Sequence, residues 1–398
     1  MLRHLLQLTW KRKSRNLMLS LEILLAFVIV FGIVATGLRY WQLYRLPLGF
    51  DGADTWTVGM QMGATPPEAV PVDVYDTLRR SLRELPEVRA VGFVTAPPYA
   101  NYRWTIDFQP SKSAPTVELD TIQASDELPD VLGMKLVAGR WFSADDDGQD
   151  VIPAVLDARA AAALFPGRPA LGQRFTDAND SVTHTFRVVG LVDSFRSRGP
   201  LTAPTSFVIT RFMPQATNWR PRTILLRVAP GTPRSFEAKL NQRLKAVRSD
   251  WGYGIAPLQS LRASRLKTEL MPLIVMAVIA SFMLLMVAFG LFGVLWQNTT
   301  RRVPELGLRR ATGATAGDIT RQIVLEQVLL CLLPIAAALI LLVQLPITGA
   351  LGESLSWPLF AGASLLAVAV MVLVSVGCAL YPAWRASRLS PTEALHYE

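Results

Sequence analysis

The chain has 398 residues, 51% of them hydrophobic, a formal net charge of +9 and only two cysteines, with a mean hydropathy of +0.30. That average is too apolar for an ordinary soluble enzyme of this length, and two cysteines exclude a disulfide-built scaffold. The basic excess is no nucleic-acid signal, because much of it gathers at the ends of uncharged stretches, as membrane orientation requires.

Residues 1–15 combine Leu2, Leu5, Leu6, Leu8 and Trp10 with Lys11, Arg12, Lys13 and Arg15, which predicts a short amphipathic helix on a membrane surface. Residues 16–38 carry one charge, Glu22, and are long enough to cross a hydrocarbon core of about 30 Å. The run is too long for a signal peptide and lacks a small-residue cleavage site, so it reads as a retained anchor. Glu22 is expected near its inner end, reaching the interface or Arg15.

Residues 39–269 contain no spanning segment. Val74, Leu78, Leu82 and Leu85 have helical spacing and Pro86 stops the run; Phe236, Leu240 and Leu244 mark a second helix within Arg234–Asp250. Strands are expected at "VRAVGFVTAPPY", "PAVLD", "TFRVVGLVD", "TSFVITRF" and "RTILLRVA". The mixture predicts an α+β domain of two lobes. The acidic stretch 110–150 and the basic stretch 187–248 read as ordinary surface charge. Cys331 and Cys378 both fall in apolar runs elsewhere, so this domain is expected to fold on its core alone. Arg39–Pro47 and Leu258–Leu270 are expected to extend the flanking helices outward as stalks.

Three more membrane helices follow, at 270–300, 319–344 and 358–381. They are separated by a charged segment at 301–318 and a short loop at 345–357, and a tail occupies 382–398. Basic residues mark three inner ends: the first 15 residues; Arg301, Arg302, Arg309 and Arg310; Arg385 and Arg388. The loop around Leu345–Trp357 has no Lys or Arg. Both termini are therefore expected in the cytoplasm and the large domain outside. Tyr40, Trp41, Tyr44, Trp296, Trp357, Tyr381 and Trp384 fall where helices meet the interface.

No Gly-Lys pair occurs anywhere, so a Walker-type phosphate loop is excluded. His4, His184 and His396 are far apart, and His184 reads as a strand residue. No catalytic or metal-binding constellation is expected, and a membrane-bound enzyme is disfavoured. Glu22 and Gln344 lie near helix ends, and no row of charges lines a pore, which argues against an ion channel or proton-driven pump.

The segment 301–318 carries more information. Pro304 suits the first turn of a new helix and Glu305 its positive end. Arg309 lies four residues on, within pairing reach of Glu305. Gly313 ends the run, and Thr315 with Asp318 forms a capping box before the next apolar helix. By residue physics alone this is either a charged helix anchored to headgroups or a helix that a partner grips. The stretch "PELGLRRATGATAGDI" resembles the signature of the FtsX-like permease family, which includes MacB-type exporters. The resemblance lies in Glu305, Leu306, Gly307, Leu308, Arg309, Ala311, Gly313, Ala314 and Asp318. Pro304 departs from it, since many relatives carry a charged or polar residue there.

The ending "YPAWRASRLSPTEALHYE" is similar to the family's C-terminal pattern through Pro382, Ala383, Ala386, Pro391, Glu393, Ala394 and Leu395. Ser390, Pro391 and Glu393 also form a helix-start signal. "GMKLVAGRWFSADD" and "LFPGRPALGQRF…FRVVGLVDSF" resemble the MacB-like periplasmic core.

The resemblance implies four transmembrane helices around a periplasmic α+β domain in a bacterial inner membrane. The segment 301–318, with Arg310 beside Arg309, is implied to be a coupling helix that docks on a separate ATPase, which alone would bind ATP and Mg. A second permease copy or a paralogue is implied, and a periplasmic adaptor and an outer-membrane channel are candidate partners. The task is either mechanotransmission for export, or regulation of a periplasmic partner such as a cell-wall hydrolase, or lipoprotein release.

Overall fold

The computed structural model describes residues 13–63, 70–148, 150–178, 184–213 and 220–388. The expected amphipathic segment up to residue 12, His4, His396 and the helix-start signal at Ser390–Glu393 lie outside these residues. The chain divides into two compact units, one made of residues 1–42 and 270–398, the other of 43–269.

The apolar unit holds four helices long and apolar enough to cross a membrane. Helix α1 is Lys13–Tyr44. The three C-terminal ones belong to a 44-residue helix Leu258–Arg301 (α6), to Ala316–Leu342 (α8) and to Trp357–Ser387 (α10). Between them lie the nine-residue helix Val303–Ala311 (α7) and the short Gln344–Thr348 (α9). The boundaries differ from the expected 319–344 and 358–381 for reasons of capping. Thr315 caps α8 so that the helix begins at Ala316, three residues before 319, and Gln344 starts a separate turn. Helix α10 runs through Pro382 to Ser387.

The core of this unit uses Ile23, Phe27 and Val30 of α1, Ile335 and Ala338 of α8, and Phe360, Ala363 and Ala367 of α10. Small residues let α8 and α10 approach closely, which is how helices associate where apolar burial gives no drive between them. Helix α6 contributes Val287 and Leu291 to this core. It is the least enclosed span, with 11% of its most apolar window buried against 28–33% for the other three. Ile274, Val278, Phe282, Leu285 and Phe289 on it are exposed, the surface expected of a lipid-facing helix.

The sheet unit is α+β and has two lobes. One lobe is the antiparallel run β11-β1-β10-β2, formed by Gly252–Pro257, Thr55–Gln61, Thr223–Val228 and Val88–Val94. Helices α2 (Asp73–Arg83) and α5 (Phe236–Val247) pack on it. Trp56, Val58 and Met60 alternate along β1 into this core, beside Tyr75, Leu78, Leu82, Phe236, Leu240, Leu244 and Trp251. The expected spacing of Leu78, Leu82 and Leu85 is buried as read, and Tyr75, not singled out from sequence, is among the largest fully buried side chains.

The other lobe is a closed ring of six strands. β4 (Val117–Ala124) pairs with β3 (Thr105–Gln109) and with β9 (Phe207–Arg211). β9 pairs with β6 (Ile152–Asp157), β6 with β8 (Thr185–Val192), and β8 with β7 (Arg174–Asp177). β7 returns to β3. Closure removes free edges. Phe108, Phe175 and Phe186 pack in its core with ring centroids 5.3–5.4 Å apart. The lobes join where Val94 of β2 pairs with Ala124 of β4.

Two local readings are corrected. β2 stops at Val94 rather than running through "TAPPY", because the two prolines have no N–H for a ladder and Tyr99 takes a left-handed φ of 67°. His184 lies one residue before β8, where its Nδ1 is 2.8 Å from Asp177 Oδ2.

Candidate coupling helix and its supports

Helix α7 starts at Arg302, whose backbone is non-helical, with Pro304 in its first turn. Proline fits there because the first N–H groups of a helix have no intrahelical acceptor. Val303, Leu306 and Gly307 are buried, at the i, i+3, i+4 spacing of one helix face. Val303 is 5% exposed. Leu306 packs with Leu295 of α6, Ile319 and Ile323 of α8, and Ala379, Ala383 and Ala386 of α10. Two members of the C-terminal motif, Ala383 and Ala386, thus form part of the floor under α7, and Pro382 is buried in the same helix end. Pro391, Glu393, Ala394 and Leu395 lie outside the described residues.

The charged residues close a circuit. Glu305 accepts from Arg309 Nη2 at 2.8 Å and from Arg302 Nε at 3.1 Å. Arg309 Nη1 donates to Gln322 Oε1 at 2.5 Å, Gln322 Nε2 to Glu326 Oε1 at 2.9 Å, and Arg302 Nη1 to Glu326 Oε2 at 2.8 Å. Desolvation works against the charge on Arg302, but Glu326 and Glu305 outweigh it and hold its pKa above the usual value. Arg310 Nη1 donates to the Ser387 carbonyl at 2.9 Å, tying α7 to the end of α10. Beneath α7 a cavity of about 50 Å³ is lined by Thr299, Arg302, Leu306, Glu326 and the buried Gln327.

Glu305 and Arg309, expected from their spacing to pair with each other, do so, and both are engaged within the chain. The side turned away carries Pro304, Leu308 and Ala311, all exposed, with Leu308 at 61%. Gly313 follows with φ 102°, and nothing lies within 4 Å of where its Cβ would be. Its conformation, not crowding, is what favours glycine there. Thr315 and Asp318 make both arms of the capping box that starts α8. Ala314 lies between, half-buried, with its N–H on the Arg309 carbonyl. Arg302 was read from sequence only as a marker of orientation, and Gln322 and Glu326 were not singled out; the only signal for them was their i, i+4 spacing just before the uncharged run.

A family described as the FtsX-like permease C-terminal matches residues 277–391, which include all of α7, and the MacB-like periplasmic core domain matches residues 17–243. The chain belongs to the FtsX-like, MacB-type family of ABC transporter permeases. Among its relatives, the "Macrolide export ATP-binding/permease protein MacB" of Sodalis glossinidius is 26% identical over 71% of this chain and 44% of its own length. The protein of the same name from Agrobacterium fabrum is 25% identical over 97% of this chain and 59% of its own length. That from Chromobacterium violaceum is 30% identical over 67% and 42%. The chain thus spans about half the length of these relatives. A solved periplasmic region of MacB from Actinobacillus actinomycetemcomitans covers 56% of this chain and 97% of that one, with 17% identity and a TM-score of 0.38.

The MacB-like motifs of the sheet unit have structural roles. Strand β5 (Leu136–Gly139) pairs with β8, and Gly139 faces Gly190. A Cβ on Gly139 would stand 2.3 Å from the Val189 carbonyl oxygen, and φ there is 78°. Arg140 grips the buried Asp146 through two bonds of 2.8 and 2.5 Å, and this hydrogen-bonded guanidinium holds the Asp146 carboxyl below the usual range. Asp157 caps α4 (Ala158–Leu164) by accepting from Ala160 N, and also accepts from Phe207 N; burial pushes its carboxyl up to about 6.

Arg196 is 5% exposed and donates to four backbone carbonyls. Those of Leu43 and Leu46 are 2.9 and 3.0 Å away; those of Pro200 and Thr202 are 2.7 and 2.9 Å. Thr202 in turn donates to Glu269, which pairs with Arg265 at 2.9 Å. The loop at 196–202 thereby holds the end of α1 and the first part of α6, the two stretches read as stalks. Burial pushes the Arg196 guanidinium below its usual pKa. Among the described residues no group of three His, Cys, Asp or Glu side chains is placed to hold a metal.

Proposed function

We propose that this permease couples ATP binding and hydrolysis by a separate ATPase subunit to movement of its outer domain, and so drives export. The observation that carries the reading is α7: a short helix held rigidly on one face by a buried core and a five-residue polar circuit, and presenting Pro304, Leu308 and Ala311 on the other. A segment that transmits force must be fixed to what it moves and open to what pushes it. In this reading ATP and Mg are bound by the ATPase subunit; the 398 residues contain no Gly-Lys pair for a phosphate loop.

The coupling helix and both termini face the cytoplasm of an inner membrane, and residues 43–269 face the periplasm, by the distribution of Lys and Arg. In this reading the motion is carried by the long helices α1 and α6. Two permease chains, identical or paralogous, complete the complex. A periplasmic adaptor and an outer-membrane channel are further candidate partners.

Native mass spectrometry of the tagged chain from its own host tests this. A complex of an ATPase pair with two permease chains supports the reading, and its mass says whether they are identical. A chain that never carries an ATPase under conditions that preserve its fold contradicts it.

A further inference from the structure

At the end of the apolar unit that carries α7, the aromatic side chains of α6 and α10 form one continuous stack. Phe292 lies 6.0 Å from Trp296, Trp296 lies 6.4 Å from Tyr381 with planes 8° apart, and Tyr381 lies 6.3 Å from Trp384. Arg385 of α10 and Arg388, which caps that helix, lie on this stack. The Arg385 guanidinium is 4.6 Å from the ring centre of Trp296 on the other helix, and that of Arg388 is 4.3 Å from Trp384. Both arginines are exposed, and neither meets a carboxylate among the described residues. Tyr381 and Trp384 are 52% and 49% exposed.

A guanidinium resting on an indole spends its flat face on the ring. Its N–H edge stays free, and that edge matches two oxygens of a phosphate. Tryptophan and tyrosine at the end of a membrane span sit at headgroup depth. The seam therefore presents fixed cations at the level of lipid phosphates, with ring faces beside them for glycerol and the first acyl carbons. Arg310 of α7, bonded to the carbonyl of Ser387 beside Arg388, brings a further cation to this helix end. A zwitterionic headgroup brings its own ammonium to this cluster and is disfavoured; an anionic one is not.

We propose that the aromatic–arginine seam between α6 and α10 is a binding site for the headgroup phosphate of an anionic phospholipid. The occupant joins the least enclosed span to the rest of the helix unit. The site involves none of the exposed α7 residues assigned to the ATPase, so the two readings fail separately.

The full chain in detergent is titrated with phosphatidylglycerol or phosphatidylcholine and read by native mass spectrometry. Wild type should retain phosphatidylglycerol in preference to phosphatidylcholine, and inorganic phosphate should not displace it. Arg385→Gln with Arg388→Gln should weaken retention about tenfold. Arg385→Lys with Arg388→Lys keeps the charge but loses the planar fork, and should fall between. Arg301→Gln removes an exposed cation at the same end without a stacked ring, and should leave retention unchanged. Equal retention of both lipids, unchanged retention in the glutamine pair, or an equal loss in Arg301→Gln would each overturn the site. If the glutamine pair does not fold, the lysine pair decides: full retention contradicts the proposal.

Discussion

The two units of this chain use charge in different ways. The sheet unit has exposed pairs such as Arg103–Glu118, but it also buries ionised groups: Arg196 binds four carbonyls, Asp146 is 1% exposed against Arg140, and Arg211, 6% exposed, pairs with Asp126 and Asp147. In the apolar unit, the described ion pairs gather at α7 and remain partly solvated, with Glu305 and Arg309 side chains 43% and 39% exposed. Buried charges of the first kind govern stability, because removing one partner strands the other groups. Exposed pairs of the second kind are worth little to folding. Their place in the chain is then better explained by what they orient.

That contrast makes graded predictions. The largest effect is expected for Gly139→Val, which forces a β-branched side chain into φ 78° and against the Val189 carbonyl. It should prevent the sheet unit from folding, read as protease sensitivity confined to 43–269; a protected domain would contradict the β5–β8 geometry. Arg196→Met should cost roughly 3 kcal/mol or more through stranded carbonyls, measured by thermal unfolding in detergent, with Arg196→Lys recovering part of the loss. A shift equivalent to under about 1 kcal/mol would mean that the loop does not depend on its clamp.

Asp157 gives a pH signature. Its folded pKa, about 6, lies above an unfolded value near 3.9. The group therefore contributes stability that is fully present below about pH 4 and lost as pH rises through 6. Asp157→Asn keeps the acceptor for Ala160 and Phe207. It should raise stability at pH 8 by about 1–2 kcal/mol and flatten the profile between pH 4 and 7. An unaltered slope would remove Asp157 as its source.

Across in the apolar unit, Glu305→Lys with Arg309→Ala should shift unfolding by less than about 1 kcal/mol while abolishing stimulation of the ATPase. Full export in that variant would break the comparison. Gly313→Val should have the smaller effect on coupling, a partial loss, with about 1–2 kcal/mol of local strain at φ 102°. Unchanged ATPase stimulation would show that this turn is not part of the path.

Legibility in the sequence follows the same division. The four spans were readable because long uncharged runs admit one interpretation, and the Thr315–Asp318 cap because its spacing is local. The sheet unit was half readable. Strand β4 was missed because Asp120, Thr121 and Gln123 are buried where β4 pairs with three neighbours, which hides its alternation. Strand β11 was missed because two glycines and a proline occupy its six residues. The stretch that holds Gly139 and Arg140 was visible as a motif, but the partner of Gly139, Gly190, lies on a strand far along the chain. The polar circuit under α7 closes between Arg302 and Glu326, and the aromatic seam between Trp296 and Tyr381; neither separation carries a local signal. The Glu305–Arg309 pair was legible from its i, i+4 spacing, whereas the exposure of Leu308 against the burial of Leu306 on the same helix depends on packing against α6, α8 and α10.

The most direct test of the account is site-specific photocrosslinking in native membranes. A crosslinker is placed at Leu308, on the exposed side of α7, and separately at Leu306, on its buried side. The account predicts an ATPase adduct from position 308 and none from 306. No adduct at 308 while the ATPase is present, or equal adducts at both positions, would contradict α7 as the docking helix.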